Sequence, residues 1–154
     1  MTASEVRWLS AAEQAAWRGW IDASRRVLAA TDRQLKDDAG ITIDDYEVFV
    51  RLSETDTGRL RMSDLAAQVT NSPSRLSQRV DRLSRDGYLT RVRCDVDARV
   101  WWVELTADGR RKLEETAPGH VAEVRAAFVD RLTSDEIDVL AKVLPRLAAS
   151  LEHD

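Results

Sequence analysis

The 154-residue sequence predicts a mainly α-helical protein that carries one small β-hairpin wing. Apolar residues recur at helical spacing through most of the chain. Two short runs, YLTRVRC and VWWVELT, are instead rich in β-branched and aromatic residues, and a polar connector of hairpin length separates them. The predicted architecture is therefore a helix-turn-helix unit with a β-hairpin, placed between long terminal helices.

The first helix is predicted to be long and amphipathic, from residue 10 to about 38. It begins at Ser10 with a capping-box pattern, SAAE. At about 1.5 Å per residue it is roughly 40 Å long, more than a small domain needs for its own core. A second helix is predicted from about Ile43 to Ser53, and residues 54–60 predict a turn around Gly58.

The next segment has the pattern of two helices joined by a tight break. Ser63 is the expected N-cap of a short helix, and Thr70-Asn71 form the break. The longer helix begins at Pro73, behind a Ser72 cap, and Gly87 ends it. In a helix-turn-helix, the second helix enters the major groove of DNA.

This longer helix is predicted to have one apolar and one basic face. Its apolar stripe is Leu76, Val80 and Leu83. Its polar side chains, expected to point outward as DNA-binding residues, are Ser72, Ser74, Arg75, Ser77, Gln78, Arg79, Arg82 and Arg85. Guanidinium groups suit phosphates and guanine edges. The alternative is a solvated surface on which Asp81 and Asp86 pair with the arginines.

The predicted hairpin has the form of a wing. Trp101, Val103 and Leu105 alternate to one side of its second strand. Arg99, at the tip, is expected to reach a minor groove, whose negative potential attracts guanidinium groups. Asp97 is expected to hold the Arg99 side chain in place.

Several short motifs occur along the chain in a fixed order, and together they are typical of one protein family. They are Leu65-Ala66, Ser72-Pro73-Ser74, Val80-Asp81-Arg82-Leu83, Asp86-Gly87-Tyr88-Leu89, Arg91, Asp97-x-Arg99 and Leu105-Thr106-x-x-Gly109. Together with Asp45-Tyr46-x-Val48 and the long terminal helices, they cover nearly the whole chain and resemble the MarR family of winged-helix transcriptional regulators. Ala98 departs from that pattern, since the family often has a second basic residue there, and so does Pro145, inside the last helix.

The C-terminal third is predicted to be helical. Thr106 caps a helix that runs to about Arg131 and kinks or breaks near Pro118. The last helix opens with a capping box at Thr133 and bends at Pro145.

The expected organisation is one domain, residues 1–154. A winged core spans about 43–106, and dimerisation helices span about 10–38 and 107–151. The apolar stripes of the terminal helices are expected to be covered by a second copy, as the resemblance also implies, which sets two recognition helices about one DNA turn (~34 Å) apart. Alternatively, these helices close over their own domain.

Charge is unevenly distributed along the chain. The total is −4, but residues 59–111 contain 11 arginines and 7 acidic residues, a net +4, against −8 elsewhere. A basic patch on an acidic body steers DNA to one face. The single cysteine, Cys94, excludes an internal disulfide, and no signal peptide or membrane span is recognisable. A cytoplasmic protein without membrane contact is expected.

Catalytic and metal-binding patterns are lacking in the sequence. The two histidines, His120 and His153, lie near no nucleophile motif, and no glycine-rich phosphate loop is present. Cys94, the histidines and nearby acids do not have metal-ligand spacing. The expectation is a non-enzyme without a cofactor or metal.

The family resemblance implies that a small aromatic or anionic effector weakens DNA binding. Candidate lining residues are Trp17, Trp20, Tyr46, Phe49 and His120. The alternative is that these aromatic residues belong to the core. Cys94 lies near Arg91, Arg93 and Arg99, which would lower its pKa, or it is an inert strand residue.

The resulting hypothesis is a homodimeric regulator, most simply a ligand-responsive repressor, that binds a pseudo-palindromic site on double-stranded DNA. Arg75, Gln78 and Arg79, with Ser72 and Ser74, would read bases, while Arg82 and Arg85 would contact phosphates. Two alternatives stay open: a protein-interaction adaptor, which Ala98 and the acidic total fit, and a redox sensor.

Overall fold

The computed structural model describes residues 6–69, 72–97 and 99–151. Within these ranges the chain is mainly helical with a small antiparallel sheet, as predicted. The elements are α1 (Ala11–Ala39), α2 (Ile43–Ser53), β1 (Arg59–Arg61), α3 (Met62–Gln68), α4 (Pro73–Arg85), β2 (Leu89–Arg93), β3 (Trp101–Leu105), α5 (Ala107–Ala127) and α6 (Ser134–Leu151). None of the helices in those ranges combines the length and apolarity that crossing a bilayer requires.

The chain divides into two compact units, one of which is residues 31–123. The predicted winged core lies inside this unit. Its hydrophobic core consists of Leu35, Ile41, Val48, Phe49, Leu52, Leu65, Val69, Leu76, Val80, Leu83, Leu89 and Val103. These side chains come from the end of α1, from α2, α3 and α4, and from the sheet, so that one core fixes both helices of the helix-turn-helix and the wing.

The sheet has three strands rather than the two of the predicted hairpin. Its order is β1-β3-β2, with both pairs antiparallel. The expectation that residues 54–60 are only a turn is wrong, because β1 begins at Arg59, which lies opposite Glu104. Three residues are too few for a local strand signal, and the partner strand is 45 positions away.

Most predicted helix starts are confirmed, with one correction. Ser72 caps α4, its hydroxyl accepting a hydrogen bond from the backbone N–H of Arg75 at 3.4 Å. Ser63 is not an N-cap, because α3 begins at Met62, one residue before Ser63, and Arg61 occupies the cap position. Arg61 is also the last residue of β1, so the strand is followed directly by the helix. The predicted break at Thr70-Asn71 lies outside the described residues.

Neither proline of the C-terminal helices interrupts its helix. α5 runs unbroken through Pro118, and α6 runs unbroken through Pro145, so the expected break near Pro118 is not found. A proline removes only one backbone N–H donor, and the hydrogen bonds of the turns on both sides of it remain. α5 ends at Ala127, earlier than predicted, and a short 3₁₀ turn covers Val129–Arg131.

The second compact unit comprises residues 1–30 and 124–154. The predicted capping box of α1 is present, Glu13 accepting from the backbone N–H of Ser10 at 2.7 Å. The predicted box of α6 is also present, Glu136 accepting from the backbone N–H of Thr133 at 2.8 Å. No residue of this unit that the structure describes is fully buried. These helices therefore have no core of their own.

An apolar groove of about 640 Å³ lies within this unit. It is lined by Ala16, Gly19, Trp20, Ala23, Ser24, Val27, Leu28, Ala127, Phe128, Arg131, Leu132, Leu140 and Leu144. On α6, the side chains of Val139, Val143, Leu147 and Leu151 are also exposed.

Candidate nucleic-acid interface

Helix α4 separates an apolar face from a polar one, as its sequence predicts. Leu76, Val80 and Leu83 are fully buried. Arg75 and Gln78, on the opposite side, are exposed. Within the described part of the chain, the Arg75 guanidinium has no ion-pair partner. A free, forked donor at the beginning of a helix-turn-helix second helix has the geometry for a guanine edge or a phosphate.

The serines at the start of α4 have more constrained roles. The Ser72 hydroxyl caps the helix and also lies 3.3 Å from the Ser74 hydroxyl. Both residues are exposed, and Ser77 is half-buried. Ser72 thus combines a structural bond with a position at the surface where phosphates approach a helix N-terminus.

Arg79 does not point outward, and that sequence expectation is wrong. Its side chain is only 15% exposed. Its Nε donates to Asp45 Oδ1 at 2.9 Å and its Nη2 to Asp44 Oδ2 at 2.7 Å. The periodicity of α4 had put the arginine row more than a quarter-turn from the apolar stripe, on the outward face. The acidic partners, however, come from α2, 34 and 35 positions earlier, where the sequence of α4 gives no signal for them.

Asp45 is the centre of this network and was missed as a functional residue. Its side chain is 1% exposed. One carboxylate oxygen accepts from the backbone N–H of Thr42 at 2.9 Å, which completes the capping box of α2. The other accepts from Arg79 and, at 2.5 Å, from Arg82 Nη2. A buried carboxylate with all these donors is fully paired.

The other two arginines of α4 are more accessible. Arg82 is half-exposed, and its Nη1 lies 3.9 Å from Asp86. Arg85 is exposed, and its Nε donates to the backbone carbonyl of Asp81 at 3.4 Å. The Asp81 carboxylate pairs instead with Arg91 of β2, at 2.5 Å. The solvated-surface alternative therefore holds for Asp86, whereas Asp81 links α4 to β2.

The wing consists of β2, β3 and their connector. Its backbone is ordered by Asp97, whose carboxylate accepts from the backbone N–H of Arg99 at 3.0 Å. The sequence expectation was that Asp97 holds the Arg99 side chain, and this is corrected: the contact is to the main chain, because an N–H two residues along is the nearest donor in such a turn. Arg99 is exposed. Ala98 lies outside the described residues.

Two tryptophans of β3 each carry arginines above their rings. The guanidinium carbons of Arg59 and Arg61 lie 4.5 and 5.3 Å from the Trp102 ring centre. Those of Arg91 and Arg93 lie 5.2 and 5.8 Å from the Trp101 ring centre. Cation–π contacts of this kind hold positive charge close to the sheet. Two of these arginines are also ion-paired, Arg59 with Glu104 at 3.3 Å and Arg91 with Asp81 at 2.5 Å.

Cys94 follows β2 at the base of the wing connector. The backbone N–H groups of Asp97 and Val96 donate to its sulfur and lower the thiol pKa below the ordinary value. Trp102 and Arg61 contribute less. A lowered pKa was expected from Arg91, Arg93 and Arg99. The main cause is instead the folded connector, which hydrogen-bonds the thiolate form.

The five candidate effector residues are not one cluster in either compact unit. In residues 31–123, the rings of Tyr46 and His120 are in contact, with their centres 4.4 Å apart and their planes tilted by 49°. Burial raises the Tyr46 pKa and lowers the His120 pKa. Phe49 is fully buried and contacts Tyr88 edge-on, so it belongs to the core, as the alternative reading had it.

The two remaining candidates, Trp17 and Trp20, belong to the other unit. Trp17 is 57% exposed, and Trp20, which lines the apolar groove, is 46% exposed. Among the described residues, no group of three or more His, Cys, Asp or Glu is arranged to hold a metal ion.

The chain is similar to known transcriptional regulators in both sequence and fold. The family described as "Transcriptional regulator SarA/Rot" matches residues 31–116. Among solved structures, Sco3205, a MarR family transcriptional regulator from Streptomyces coelicolor in complex with DNA, is 41% identical, with a TM-score of 0.90 over 96% of this chain and 92% of that one. AbsC, a MarR family regulator from the same organism, is 36% identical, with a TM-score of 0.89 over 97% and 100%.

Two curated relatives are repressors by name. The HTH-type transcriptional repressor MdtR of Bacillus subtilis is 31% identical over 70% of this chain and 69% of that protein. The HTH-type transcriptional repressor YetL of the same organism is 27% identical over 68% of this chain. The match spans 62% of the length of YetL, slightly under two thirds.

Proposed function

The chain belongs to the MarR family of winged-helix transcriptional regulators, and on that premise we propose that it is a homodimeric repressor that binds a pseudo-palindromic DNA site. Arg75 and Gln78 read base edges in the major groove, assisted by Ser72, Ser74 and Ser77. Arg82 and Arg85 contact phosphates, and Arg99 enters the adjacent minor groove.

The observation that carries this proposal is the exposed pair Arg75 and Gln78 on a helix whose other face is fully buried. A forked guanidinium matches the O6 and N7 acceptors of guanine, and a carboxamide matches N6 and N7 of adenine. Arginines of the sheet and of the wing, such as Arg61, Arg93 and Arg99, supply sequence-independent affinity through phosphates. Such a division of roles is usual in specific protein–DNA interfaces.

Dimerisation is supported by the unit formed from the chain termini. Its helices bury no described residue fully, yet carry an apolar groove and the exposed side chains of Trp17, Trp20 and Leu147. Contiguous apolar surface of this kind marks an interface. A second copy is the occupant we propose, because an identical surface is self-complementary about a two-fold axis and places two recognition helices on one side of the duplex.

Repression and ligand response complete the proposal. MdtR and YetL are repressors by name, and we assign the same direction of regulation to this chain. A small aromatic anion would bind beside Tyr46 and His120, where a half-buried imidazole has a buried Nδ1 without a partner among the described residues. If the anion carries a carboxylate, that negative charge would favour the protonated form of the His120 imidazole, and the two would then attract each other.

The test is selection of bound sequences from a random DNA pool, followed by competition. We expect enrichment of a sequence with two inverted half-sites, bound about 10³-fold or more tightly than random duplex at physiological salt. The matched control is Arg75→Ala, which keeps the fold but removes the free guanidinium. Enrichment of no sequence, with equal affinity for all duplexes, would refute the proposal and favour a protein adaptor.

A further inference from the structure

The acidic N-terminus of α2 lies against the recognition helix, and the contact is built from buried charge. Asp45 accepts from Arg79 at 2.9 Å and from Arg82 at 2.5 Å, while Asp44 accepts from Arg79 at 2.7 Å. The Asp45 side chain is almost fully buried, and Arg79 is nearly so. In a chain that uses arginine to bind DNA, one arginine of the recognition helix is thus held by its own protein through Nε and Nη2, while its buried Nη1 has no hydrogen-bond partner among the described residues.

We propose that Asp45 is a positioning residue of the recognition helix: it withholds Arg79 from DNA, holds Arg82 at the edge of the interface and leaves base reading to Arg75 and Gln78. This inference rests on the proposed DNA-binding function and deepens it. Of the three arginines, Arg75 is then a free reader of bases, Arg82 is tethered at the edge of the interface, and Arg79 is structural.

The hydrogen bonds of Arg79 keep this side chain away from DNA. Arg79 can reach a phosphate only by breaking two charge-assisted bonds, and its departure leaves a buried carboxylate with one fewer donor. Arg82 differs, because it is half-exposed and its second nitrogen faces solvent and Asp86. Arg82 can therefore contact a phosphate while it still donates to Asp45.

Asp45 can position α4 because its own side chain is held in place by the start of α2. Its second oxygen caps α2 through the backbone N–H of Thr42, and its own backbone N–H donates to the Thr42 hydroxyl at 3.2 Å. The carboxylate therefore cannot rotate without opening the start of α2. Two arginines, three residues apart on α4, are held by that one fixed point, which sets the rotation of α4 about its axis and hence the direction of Arg75.

The experiment measures the slope of log affinity against log salt concentration for the dimer on its selected site and on random duplex. Asp45→Asn keeps the shape of the side chain but removes its charge, so an arginine is released. We expect the slope on random duplex to become steeper by about 1, because one more cation reaches a phosphate. The preference for the selected site should fall at the same time, since Arg75 is less well directed.

Two further variants separate this result from general effects of charge and stability. Glu47→Gln removes the same charge from the same helix, where Glu47 pairs with Arg51 at 3.6 Å, and should leave the preference unchanged. Arg79→Gln should leave the slope unchanged, although thermal stability falls. Arg79→Lys should also leave the slope unchanged and should recover part of the lost thermal stability, because it restores a cation beside Asp45.

Each outcome is decisive. A slope that becomes flatter by about 1 in Arg79→Gln would place Arg79 on a phosphate and overturn the inference, even if Asp45→Asn fails to fold. An unchanged slope and preference in folded Asp45→Asn would also overturn it. Absence of any preference in the unaltered protein would instead refute the proposed function, which keeps the two failures distinct.

Discussion

At the scale of single residues, the account depends on a difference between Arg75 and Arg85. Both are exposed on α4, but Arg75 lies in its first turn and Arg85 in its last. We expect Arg75→Ala to weaken binding to the selected site by about 1–3 kcal/mol and to relax the base preference at one position. Arg85→Ala should weaken all duplexes alike and make the salt slope flatter by about 1.

The measurement is a set of binding isotherms for both variants on selected and random duplexes. If the two variants lose affinity by the same factor on both kinds of DNA, the assignment of Arg75 to bases and Arg85 to phosphates is incorrect. Thr57, exposed in the turn between α2 and β1, offers a control position, and its alanine variant should bind like the unaltered protein.

His120 makes stability depend on pH. Burial lowers its pKa below the ordinary 6.5, so the folded protein favours the neutral imidazole, which contacts the Tyr46 ring. As the pH falls through about 6.5, the unfolded chain takes up the proton first, and the folded state loses stability down to the lowered folded pKa. Above about 6.5 both states are neutral, and the residue makes no pH-dependent contribution.

The comparison that isolates this effect is His120→Phe, which keeps a ring beside Tyr46 but does not titrate. The melting temperature of the unaltered protein, minus that of the variant, should be steady above pH 7 and should fall between pH 6.5 and 5. Acidic groups that also weaken the fold at low pH are common to both proteins and cancel. A difference that stays constant across this range would contradict the buried, neutral imidazole.

At the scale of secondary structure, local signals predicted most elements and failed where the partner is distant. The bounds of α2 and α4 follow from caps, glycine and apolar spacing, all within a few residues. β1 was missed because its stabilising partner, β3, lies more than 40 positions along the chain. The inward turn of Arg79 was missed for the same reason, since nothing near it in sequence identifies Asp45.

The junction of wing and α5 gives a sharper test at this scale. Gly109 is buried in the first turn of α5, and a Cβ there would overlap the backbone oxygen of Tyr88 and lie 2.8 Å from Leu105 Cδ1. A backbone atom cannot move aside as a side chain can. We expect Gly109→Ala to destabilise the fold by at least the 1–3 kcal/mol that is usual for overpacking.

The matched control is Gly119→Ala, in the same helix. Its Cβ would lie 3.2 Å from the Gln34 side-chain nitrogen, a group that can shift, and alanine favours the helix by about 1 kcal/mol over glycine. Denaturant unfolding should show Gly119→Ala as stable as the unaltered protein or more so. Equal losses in both variants would mean that the close approach of α5 to the wing does not matter.

At the scale of the whole molecule, the fold is explained only if the termini have a partner. Leu147, on α6, is exposed in one chain, and we expect Leu147→Glu to dissociate the dimer by placing a charge in an apolar interface. Ala148→Glu makes the same charge change about 100° around the helix and should have a smaller effect. Light scattering during gel filtration measures both masses, and a dimeric Leu147→Glu protein would exclude this surface as the interface.

The central claim is that two recognition helices of one dimer contact successive turns of the same face of DNA. Hydroxyl-radical footprinting of the selected site tests it most directly. The account predicts two equivalent protected regions, centred about 10–10.5 base pairs apart, with minor-groove protection beside each where Arg99 enters. A single protected region, or two regions without two-fold symmetry, would contradict it.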